Sequence, residues 1–253
     1  MIGIFDSGIG GLSIYRGVKR LLPDENVIYL ADQANFPYGS KNKEELKKIV
    51  FKNAEFLIEK GADIIIVACN TATAYTIASL RKKYKNLFVG VVPVVKTAAS
   101  VTTNGKVGIL ATNGTIKSKY QEELIDKYCP AVDTFSADGS ILIDSIEDDI
   151  FSISNETLKN TISPLRDEFV DTIALGCTHY HFLLPRFKKL IPEITFLGSE
   201  GAVARQVKRV LENEKLLKKE KGKDEFYTTG KKEHLNNFLK KVLNIKTEEV
   251  YEI

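Results

Sequence analysis

Cysteine is scarce in this sequence: only Cys69, Cys129 and Cys177 occur among 253 residues. Their number is odd and no two form a Cys-x-x-Cys pair, which argues against a disulfide framework, a zinc knuckle or a thioredoxin motif. No grouping of His, Cys, Asp and Glu has the spacing of a zinc site, so we expect no bound metal. Free thiols are typical of a reducing compartment, and we therefore expect a cytoplasmic protein.

Excess charge and long apolar runs are also missing. The chain carries 36 Lys and Arg against 33 Asp and Glu, which gives no reason to expect a nucleic-acid or membrane partner. No apolar stretch approaches the roughly 20 residues of a membrane-spanning helix. The opening residues, MIGIFDSG, lack the basic region and cleavage site of a signal peptide. We expect the Lys-rich segment 215–225 to be a solvated helix end and turn.

Short apolar runs alternate along the chain with longer stretches in which apolar residues recur every three or four positions. The short runs predict strands at 2–5, 26–31, 63–68, 88–92, 106–111, 171–176 and 194–198. The longer stretches between and after them predict helices at 12–22, 43–60, 71–84, 114–128, 156–169 and 202–215. Because the strands are nearly continuous Ile, Val and Leu, both of their faces are expected to be buried. The sequence therefore predicts an α/β fold of mainly parallel sheets flanked by helices.

A weak internal repeat suggests two similar α/β domains. In the first half, IGIFDSG is followed by IIIVACNTA, and Asp6 precedes Cys69 by 63 residues. In the second half, VGILATNGT is followed by TIALGCTHY, and Thr112 precedes Cys177 by 65 residues. Since ligands bind at the carboxyl ends of strands in open α/β sheets, we expect both cysteines at such ends, in two domains that face a common cleft.

The residues around Cys69 and Cys177 suggest that these thiols carry chemistry. A cysteine between a strand and a helix meets the helix N-terminus, which favours an anion. Asn70-Thr71 and Thr178-His179 follow the two cysteines and are expected to cap those helices or to donate to a ligand. The alternative is that each cysteine is a small core residue, as we expect for Cys129.

Two thiols without a disulfide or a metal suit proton transfer at both faces of one carbon. A thiolate on one side removes a proton and a thiol on the other side delivers one. The acidity of an amino-acid α-proton is low, so fixed dipoles in a water-excluding site must stabilise the carbanion. A Cys-His thiol hydrolase is the competing enzyme class, although it leaves Cys69 without a role. A binding protein without turnover is a further alternative.

The glycine-rich stretch DSGIGG follows the first predicted strand. Gly8, Gly10 and Gly11 permit a tight turn with close backbone approach, but the GxGxxG dinucleotide pattern is absent. Asp6 has two interpretations: a helix N-cap, or a carboxylate near Cys69 that orients a substrate ammonium or tunes protonation.

Several motifs, in order along almost the whole chain, resemble those of glutamate racemases. They are DSGIGGLS (6–13), FPYGSK (36–41), ACNTAT (68–73), GILATNGTIKSKY (108–120), GCTHY (176–180) and EFYTTG (225–230), the last resembling the family's final strand. That family consists of cofactor-independent enzymes that supply D-glutamate for peptidoglycan. The resemblance implies a glutamate site between two domains, residues 1–93 with 206–253 and residues 94–205, no cofactor, and a homodimer.

The resemblance also implies roles for individual residues. Cys69 and Cys177 would be the two acid/base residues, and Asp6 and His179 would each assist one of them. The implied substrate-binding residues are Asp6, Ser7, Tyr38, Gly39, Asn70, Thr71, Thr178 and His179, with Thr112, Thr115, Ser118 and Glu147 as additions. Aspartate or a hydantoin is the alternative substrate.

Three departures from the family's usual pattern stand out. His181 occupies the place of a proline after GCTHY, and the loss of that proline is expected to loosen the turn after Cys177. The segment GVVPVVKTAAS (90–100) lacks an acidic residue, and Gly198-Ser199-Glu200 replaces Asp-Ser-Gly. These changes leave room for altered domain packing or substrate preference.

Overall fold

The computed structural model describes residues 1–218, 222–247 and 249–253. The chain divides into two compact units, Met1–Val91 with Glu200–Ile253, and Val92–Ser199. The chain therefore leaves the first unit once and returns to it once. Part of the Lys-rich segment predicted to be solvated, residues 219–221, lies outside the described residues.

Parallel strands alternate with helices along the described chain. The strands are β1 (Ile2–Asp6), β2 (Val27–Ala31), β3 (Ile64–Val67), β4 (Leu87–Gly90), β5 (Lys106–Ala111), β6 (Asp133–Asp138), β7 (Thr172–Gly176), β8 (Thr195–Leu197), β9 (Glu225–Thr228) and β10 (Val250–Glu252). The α-helices are α1 (Leu12–Leu21), α2 (Lys43–Glu59), α3 (Asn70–Lys83), α4 (Val95–Val101), α5 (Asn113–Ile116), α6 (Lys119–Tyr128), α7 (Ile141–Asp149), α8 (Asn155–Asp167), α9 (Leu184–Leu190), α10 (Glu200–Asn213) and α11 (Lys232–Leu243).

The first unit contains a parallel sheet with the strand order β10-β9-β2-β1-β3-β4. β1 pairs with β2 and β3 in register, Phe5 lying opposite Leu30 and Val67. Every residue of β1, β2 and β3 is buried, as expected for strands covered on both faces. The carboxyl ends of β1, β2 and β3 therefore meet at one edge of this sheet.

The second unit contains a parallel sheet with the strand order β6-β5-β7-β8. β5 lies between β6 and β7, and Ala111 at its end pairs with Asp138 and Gly176. The ends of β5, β6 and β7 consequently share one edge. The predicted fold class, α/β with mainly parallel sheets flanked by helices, is confirmed.

Several elements differ from the sequence-based expectation. The stretch 114–128 was expected to be one helix, but Ser118 interrupts it because its hydroxyl caps α6 by accepting from the Gln121 backbone N–H. β6 was not predicted from the sequence, because it is polar and half-exposed and so does not form an apolar run. The motif EFYTTG does contain a strand, β9, but it is not the final one, since β10 follows it and pairs with it.

Asp171, immediately before β7, pins the loop after α4. Its carboxylate accepts hydrogen bonds from the Thr102 hydroxyl (2.6 Å), from the Thr103 backbone and hydroxyl, and from the Asn104 backbone N–H (2.9 Å). Burial alone would raise the pKa of Asp171, but these hydrogen bonds outweigh it and hold the pKa well below the ordinary value of 3.8. The ionised carboxylate therefore stabilises the folded state.

We expect Asp171→Asn to lower the free energy of unfolding by about 1–2 kcal/mol at neutral pH, allowing for the solvent contact of a half-buried carboxylate. The folded-state pKa is depressed, so this stabilisation is present above the ordinary value and is lost as pH falls toward the folded-state pKa. Urea unfolding at neutral and acid pH should show a smaller loss of stability on acidification in the variant. Asp167→Asn, an exposed neighbour, is the control. An equal loss of unfolding free energy on acidification in D171N and in the wild type would contradict this role.

Candidate active site

The first group of predicted site residues lies at the carboxyl edge of the first sheet. Since β1 and β3 are adjacent and parallel, Asp6 ends one strand while Cys69 follows the other by two residues. The Ala68 backbone N–H donates to the Phe5 carbonyl at 2.8 Å, so the pairing continues up to the cysteine. We refer to Asp6, Ser7, Tyr38, Cys69 and Asn70 as the Cys69 cluster.

The turn after β1 is built around Asp6, which is fully buried. Its Oδ2 accepts a hydrogen bond from the Gly11 backbone N–H at 2.9 Å, at the start of α1. A Cβ atom on Gly11 would lie 2.7 Å from the Asp6 Cβ, so this close approach requires glycine. Asp6 therefore both holds the turn before α1 and stands at the strand edge next to β3.

Cys69 occupies the N-cap position of the 14-residue helix α3, with an extended backbone. The predicted position of this thiol at a helix N-terminus is confirmed. Such a position places unpaired N–H groups and the positive end of the helix dipole near the sulfur, which favours a thiolate. Asn70 and Thr71 are the first residues of the helix rather than caps, because Cys69 itself takes the cap position.

Asn70 is the most unusual polar residue of the Cys69 cluster. Its side chain is 4% exposed, yet within the described part of the chain neither its Oδ1 nor its Nδ2 has a hydrogen-bond partner. Buried amides normally have partners because an unsatisfied one costs about 1–3 kcal/mol. The amide of Asn70 is therefore available to a small polar ligand beside Cys69.

Tyr38 is held by a buried network that the sequence did not reveal. Its hydroxyl donates to Asp32 Oδ2 at 2.6 Å, and Asn53 Nδ2 donates to both the carboxylate (2.9 Å) and the Tyr38 oxygen (2.8 Å). Thr229 donates to the other oxygen of Asp32 at 2.9 Å. Asp32 directly follows β2, as Asp6 ends β1, and that shared position is the signal that could have identified it. Gly39, by contrast, is exposed.

Electrostatics link Tyr38 to the rest of its cluster. Burial raises the pKa of the Tyr38 phenol, and the negative charges of Asp32, Cys69 and Asp6 raise it further. Tyr38 is consequently neutral, donates its hydrogen bond to Asp32, and lies within electrostatic range of Cys69.

The second group lies at the carboxyl edge of the second sheet. Cys177 directly follows β7, and its Sγ lies 3.6 Å from His179 Nδ1. The other ring nitrogen, Nε2, lies 2.7 Å from Glu147 Oε1 on α7. All three side chains are buried. We refer to Cys177, His179 and Glu147 as the Cys177 cluster.

The expectation that Cys177 lies at an α-helix N-terminus is wrong. A 3₁₀ helix, His179–Leu183, follows it, and α9 begins only at Leu184. The physical reason is that the chain turns tightly there, with the Tyr180 backbone N–H donating to the Cys177 carbonyl. The charge partner of Cys177 is therefore the His179 imidazole rather than a helix dipole.

Two opposing effects act on the pKa of the His179 imidazole. Burial lowers its pKa, but the hydrogen bonds to Cys177 and Glu147, together with their negative charges, outweigh burial and raise the pKa well above 6.5. An imidazolium held between a thiolate and a carboxylate can stabilise the thiolate or exchange a proton with it.

The remaining predicted residues of the second unit follow β5 or β7 along the chain. The Thr112 hydroxyl caps α5 and the Ser118 hydroxyl caps α6. Thr115 lies 3.2 Å from Thr112 through the two hydroxyl oxygens, and Thr178 is buried next to Cys177. Cys129 lies in an apolar cluster, where burial raises the pKa of its thiol.

The departures from the family pattern have structural counterparts. His181 is 1% exposed, and its Nε2 accepts a hydrogen bond from the Ser199 backbone N–H at 3.2 Å. The turn that lost a proline is therefore restrained by a hydrogen bond. The segment without the acidic residue contains α4, and Glu200 begins α10.

No helix among the described residues combines the length and apolarity needed to cross a membrane.

Comparison with known proteins places these motifs in a family. The family model for Asp/Glu/Hydantoin racemases matches residues 2–207. A glutamate racemase of Pseudomonas aeruginosa is 41% identical over 220 residues, which cover 85% of this chain and 83% of the relative. Among solved structures, a glutamate racemase isoform from Bacillus anthracis has a TM-score of 0.92 at 31% identity, covering 100% of this chain and 97% of the other.

The Escherichia coli glutamate racemase, solved in complex with L-glutamate and the activator UDP-MurNAc-ala, has a TM-score of 0.88 at 32% identity and covers 99% of this chain and 96% of its own. The resemblance seen in the sequence motifs is confirmed by these matches. With the family model spanning most of its length, the chain belongs to the Asp/Glu/Hydantoin racemase family.

Proposed function

We propose that this protein is a glutamate racemase that interconverts L- and D-glutamate by proton transfer at Cα between two cysteines. The observation that carries the proposal is the equivalent placement of Cys69 and Cys177. Each thiol is buried and lies just past the end of a central parallel strand, one in each compact unit. Each unit would thus contribute one acid/base group to a single glutamate.

In one direction, a thiolate removes the α-proton from one face of glutamate. The electron pair of the Cα–H bond remains as carbanion character, and the opposite thiol delivers its proton to the other face. The first cysteine ends as a thiol and the second as a thiolate, ready for the reverse direction. No cofactor takes part in these steps.

The surrounding residues have roles that follow from their contacts. The N–H groups at the start of α3 and the Asn70 amide suit the α-carboxylate, and Asp6 suits the ammonium group. Tyr38, neutral and fixed by its hydrogen bond to Asp32, bounds the substrate site at the first thiol with its ring and its hydroxyl oxygen. On the other side, His179 and Glu147 provide charge balance for Cys177.

Glutamate is favoured over aspartate and hydantoins by the relatives that match most of the chain at 31–41% identity, which are glutamate racemases. The L-glutamate bound by the Escherichia coli relative supports an amino acid as the small-molecule partner. The supply of D-glutamate to peptidoglycan, a cytoplasmic location and a homodimer stay predictions.

The proposal is tested by incubating the purified protein with L-glutamate in deuterated water, without added cofactor. We expect optical rotation to decay to zero. Early in the reaction, deuterium should enter Cα of the D-product while recovered L-substrate keeps its protium, because the two faces use different groups. Unchanged rotation with no deuterium at Cα would refute the activity. Comparable rates on L-aspartate or a hydantoin would refute the substrate assignment.

A thiol hydrolase is the second candidate, favoured by the Cys177–His179–Glu147 geometry alone. A thiol, an imidazole and a carboxylate in sequence, at 3.6 Å and 2.7 Å, are also the parts of a nucleophilic cysteine site. That function predicts a covalent acyl-enzyme at Cys177 and full activity in a Cys69 variant. Mass spectrometry of the protein after reaction with an activated ester would distinguish it from the racemase.

A further inference from the structure

We propose that Thr73 and His181 are positioning residues that fix the two reactive thiols to the segments where the chain passes between its units. The inference rests on the proposed racemase function and adds two residues to it. Thr73 stands four positions after Cys69, and His181 stands four positions after Cys177. Thr73 accepts from the backbone N–H of Val91, the last residue before the chain passes from the first unit to the second. His181 accepts from the backbone N–H of Ser199, the last residue before the chain returns to the first unit. We call these two passages the first and the second crossing.

The first crossing lies between Val91 and Val92. The Val91 backbone N–H donates to Thr73 Oγ1 at 3.1 Å, and the same hydroxyl donates to the Val67 carbonyl at 3.0 Å. The Thr73 backbone N–H in turn donates to the Cys69 carbonyl at 2.9 Å. One side chain therefore ties the strand before Cys69 and the helix after it to the crossing.

The packing at this crossing is tight as well as hydrogen-bonded. A Cβ atom on Gly90 would lie 2.4 Å from Thr73 Cγ2, so the backbone before the crossing rests directly on this threonine. The Val91 N–H also reaches the Val67 carbonyl at 3.2 Å, which gives it a second acceptor. The loss of the Thr73 hydroxyl would consequently loosen the contact rather than remove it.

The second crossing lies between Ser199 and Glu200. The Ser199 backbone N–H donates to His181 Nε2 at 3.2 Å, in the 3₁₀ helix that begins two residues after Cys177. An acceptor at Nε2 requires that this nitrogen carry no proton. The segment that follows the first crossing approaches the end of β7, since a Cβ atom on Gly176 would lie 3.1 Å from Pro93 Cγ. The start of the second unit thus lies close to Gly176, directly before Cys177, and its last residue bonds to His181, four positions after Cys177.

The two anchors are chemically different but occupy equivalent positions in the sequence, one in an α-helix and the other in a 3₁₀ helix. A hydroxyl and an imidazole both accept from a backbone N–H at a unit boundary, at the same offset from a cysteine. Because a misplacement of about 1 Å can cost on the order of a hundredfold in rate, such anchors would matter for proton transfer. Each anchor should affect mainly its own thiol.

The test measures each thiol separately. Elimination of chloride from β-chloroglutamate needs one base: the thiolate takes the α-proton, the Cα–H pair forms the Cα=Cβ bond, and chloride leaves with its bonding pair. The two Cα enantiomers therefore report on the two cysteines, and Cys69→Ser and Cys177→Ser identify which enantiomer belongs to which thiol.

We expect His181→Phe to lower kcat/KM for the Cys177 enantiomer by about tenfold and to change the other by less than about twofold. Thr73→Val should weaken elimination from the Cys69 enantiomer selectively, by a smaller factor because Val91 keeps its second acceptor. His181→Gln and Thr73→Ser restore an acceptor and should recover most of the activity. Thr76→Val, which removes a hydroxyl that donates within α3 to the Ala72 carbonyl, is the matched control.

An equal loss for both enantiomers in His181→Phe and Thr73→Val, or no loss in either variant, would overturn the inference. If His181→Phe or Thr73→Val folds poorly, His181→Gln and Thr73→Ser still test the inference. Any loss of elimination in those two variants must fall on the same enantiomer, although the loss is smaller. Failure of the wild-type protein to act on either enantiomer would instead refute the proposed function.

Discussion

Replacing Cys69 or Cys177 by serine is expected to lower the rate of glutamate racemisation by about 10²- to 10⁴-fold, the usual contribution of a positioned acid or base. A serine hydroxyl is a far weaker acid than a thiol, so it neither removes the α-proton nor delivers one at a useful rate. The effect should be equally large for both variants, since each direction uses both groups. The measurement is the change in optical rotation of L- and of D-glutamate.

The partial reaction distinguishes a lost base from a lost fold. Each serine variant keeps one thiol, and we expect it to retain elimination from one Cα enantiomer of β-chloroglutamate. The matched control is Cys129→Ser, because Cys129 is also buried but packs in an apolar cluster. This variant should racemise glutamate at nearly the wild-type rate. Wild-type racemisation by C69S or C177S would contradict the two-base model.

Glu147→Gln is expected to lower racemisation by about ten- to a hundredfold. Glutamine keeps the shape and an oxygen acceptor for His179 Nε2 but removes the negative charge that lies 2.7 Å away. The imidazolium that faces Cys177 then loses one of its two stabilising partners. The racemisation rate, measured at several pH values, is the primary readout.

The pH dependence has a definite sign. In the wild type the pKa of His179 is raised, so the stabilisation from its charged form is fully present below about 6.5 and is lost as pH rises through the higher folded-state value. Removal of the Glu147 charge lowers the pKa of His179 and moves that loss to lower pH. Proton NMR of the His179 ring, followed through a pH titration, measures the shift directly.

Asp148→Asn is the control for charge alone. It removes one negative charge from the same helix, α7, at an exposed position next to Glu147. We expect its His179 titration and its racemisation rate to match those of the wild type within about twofold. Identical titration curves for E147Q and the wild type would show that the carboxylate does not govern the imidazole.

Much of the Cys69 cluster could be predicted from the sequence because the strands that carry it are continuous apolar runs. Such runs mark strand ends clearly, and the carboxyl ends of parallel strands carry ligands, so Asp6 and Cys69 could be placed at one edge. What the sequence did not give was the support of Tyr38. Asp32 and Asn53 are 21 residues apart and meet only because α2 packs across the sheet.

The Cys177 cluster was harder to predict from the sequence because the elements around it carry weaker patterns. The strand β6 is half-exposed and lacks an apolar run, and α7 was not predicted from the sequence. Glu147 lies on α7, so only the resemblance to glutamate racemases suggested it, whereas the structure brings it to His179. His181 illustrates the opposite case. The family pattern predicted a looser turn after Cys177, but the His181 side chain accepts a hydrogen bond from the Ser199 backbone N–H and restrains that turn.

The central claim is most directly tested by a crystal structure of the protein with glutamate bound. The account predicts that the sulfurs of Cys69 and Cys177 each lie about 3–4 Å from Cα, on opposite faces of the carbon. A bound glutamate with only one sulfur in reach, or with both sulfurs on the same face, would contradict it.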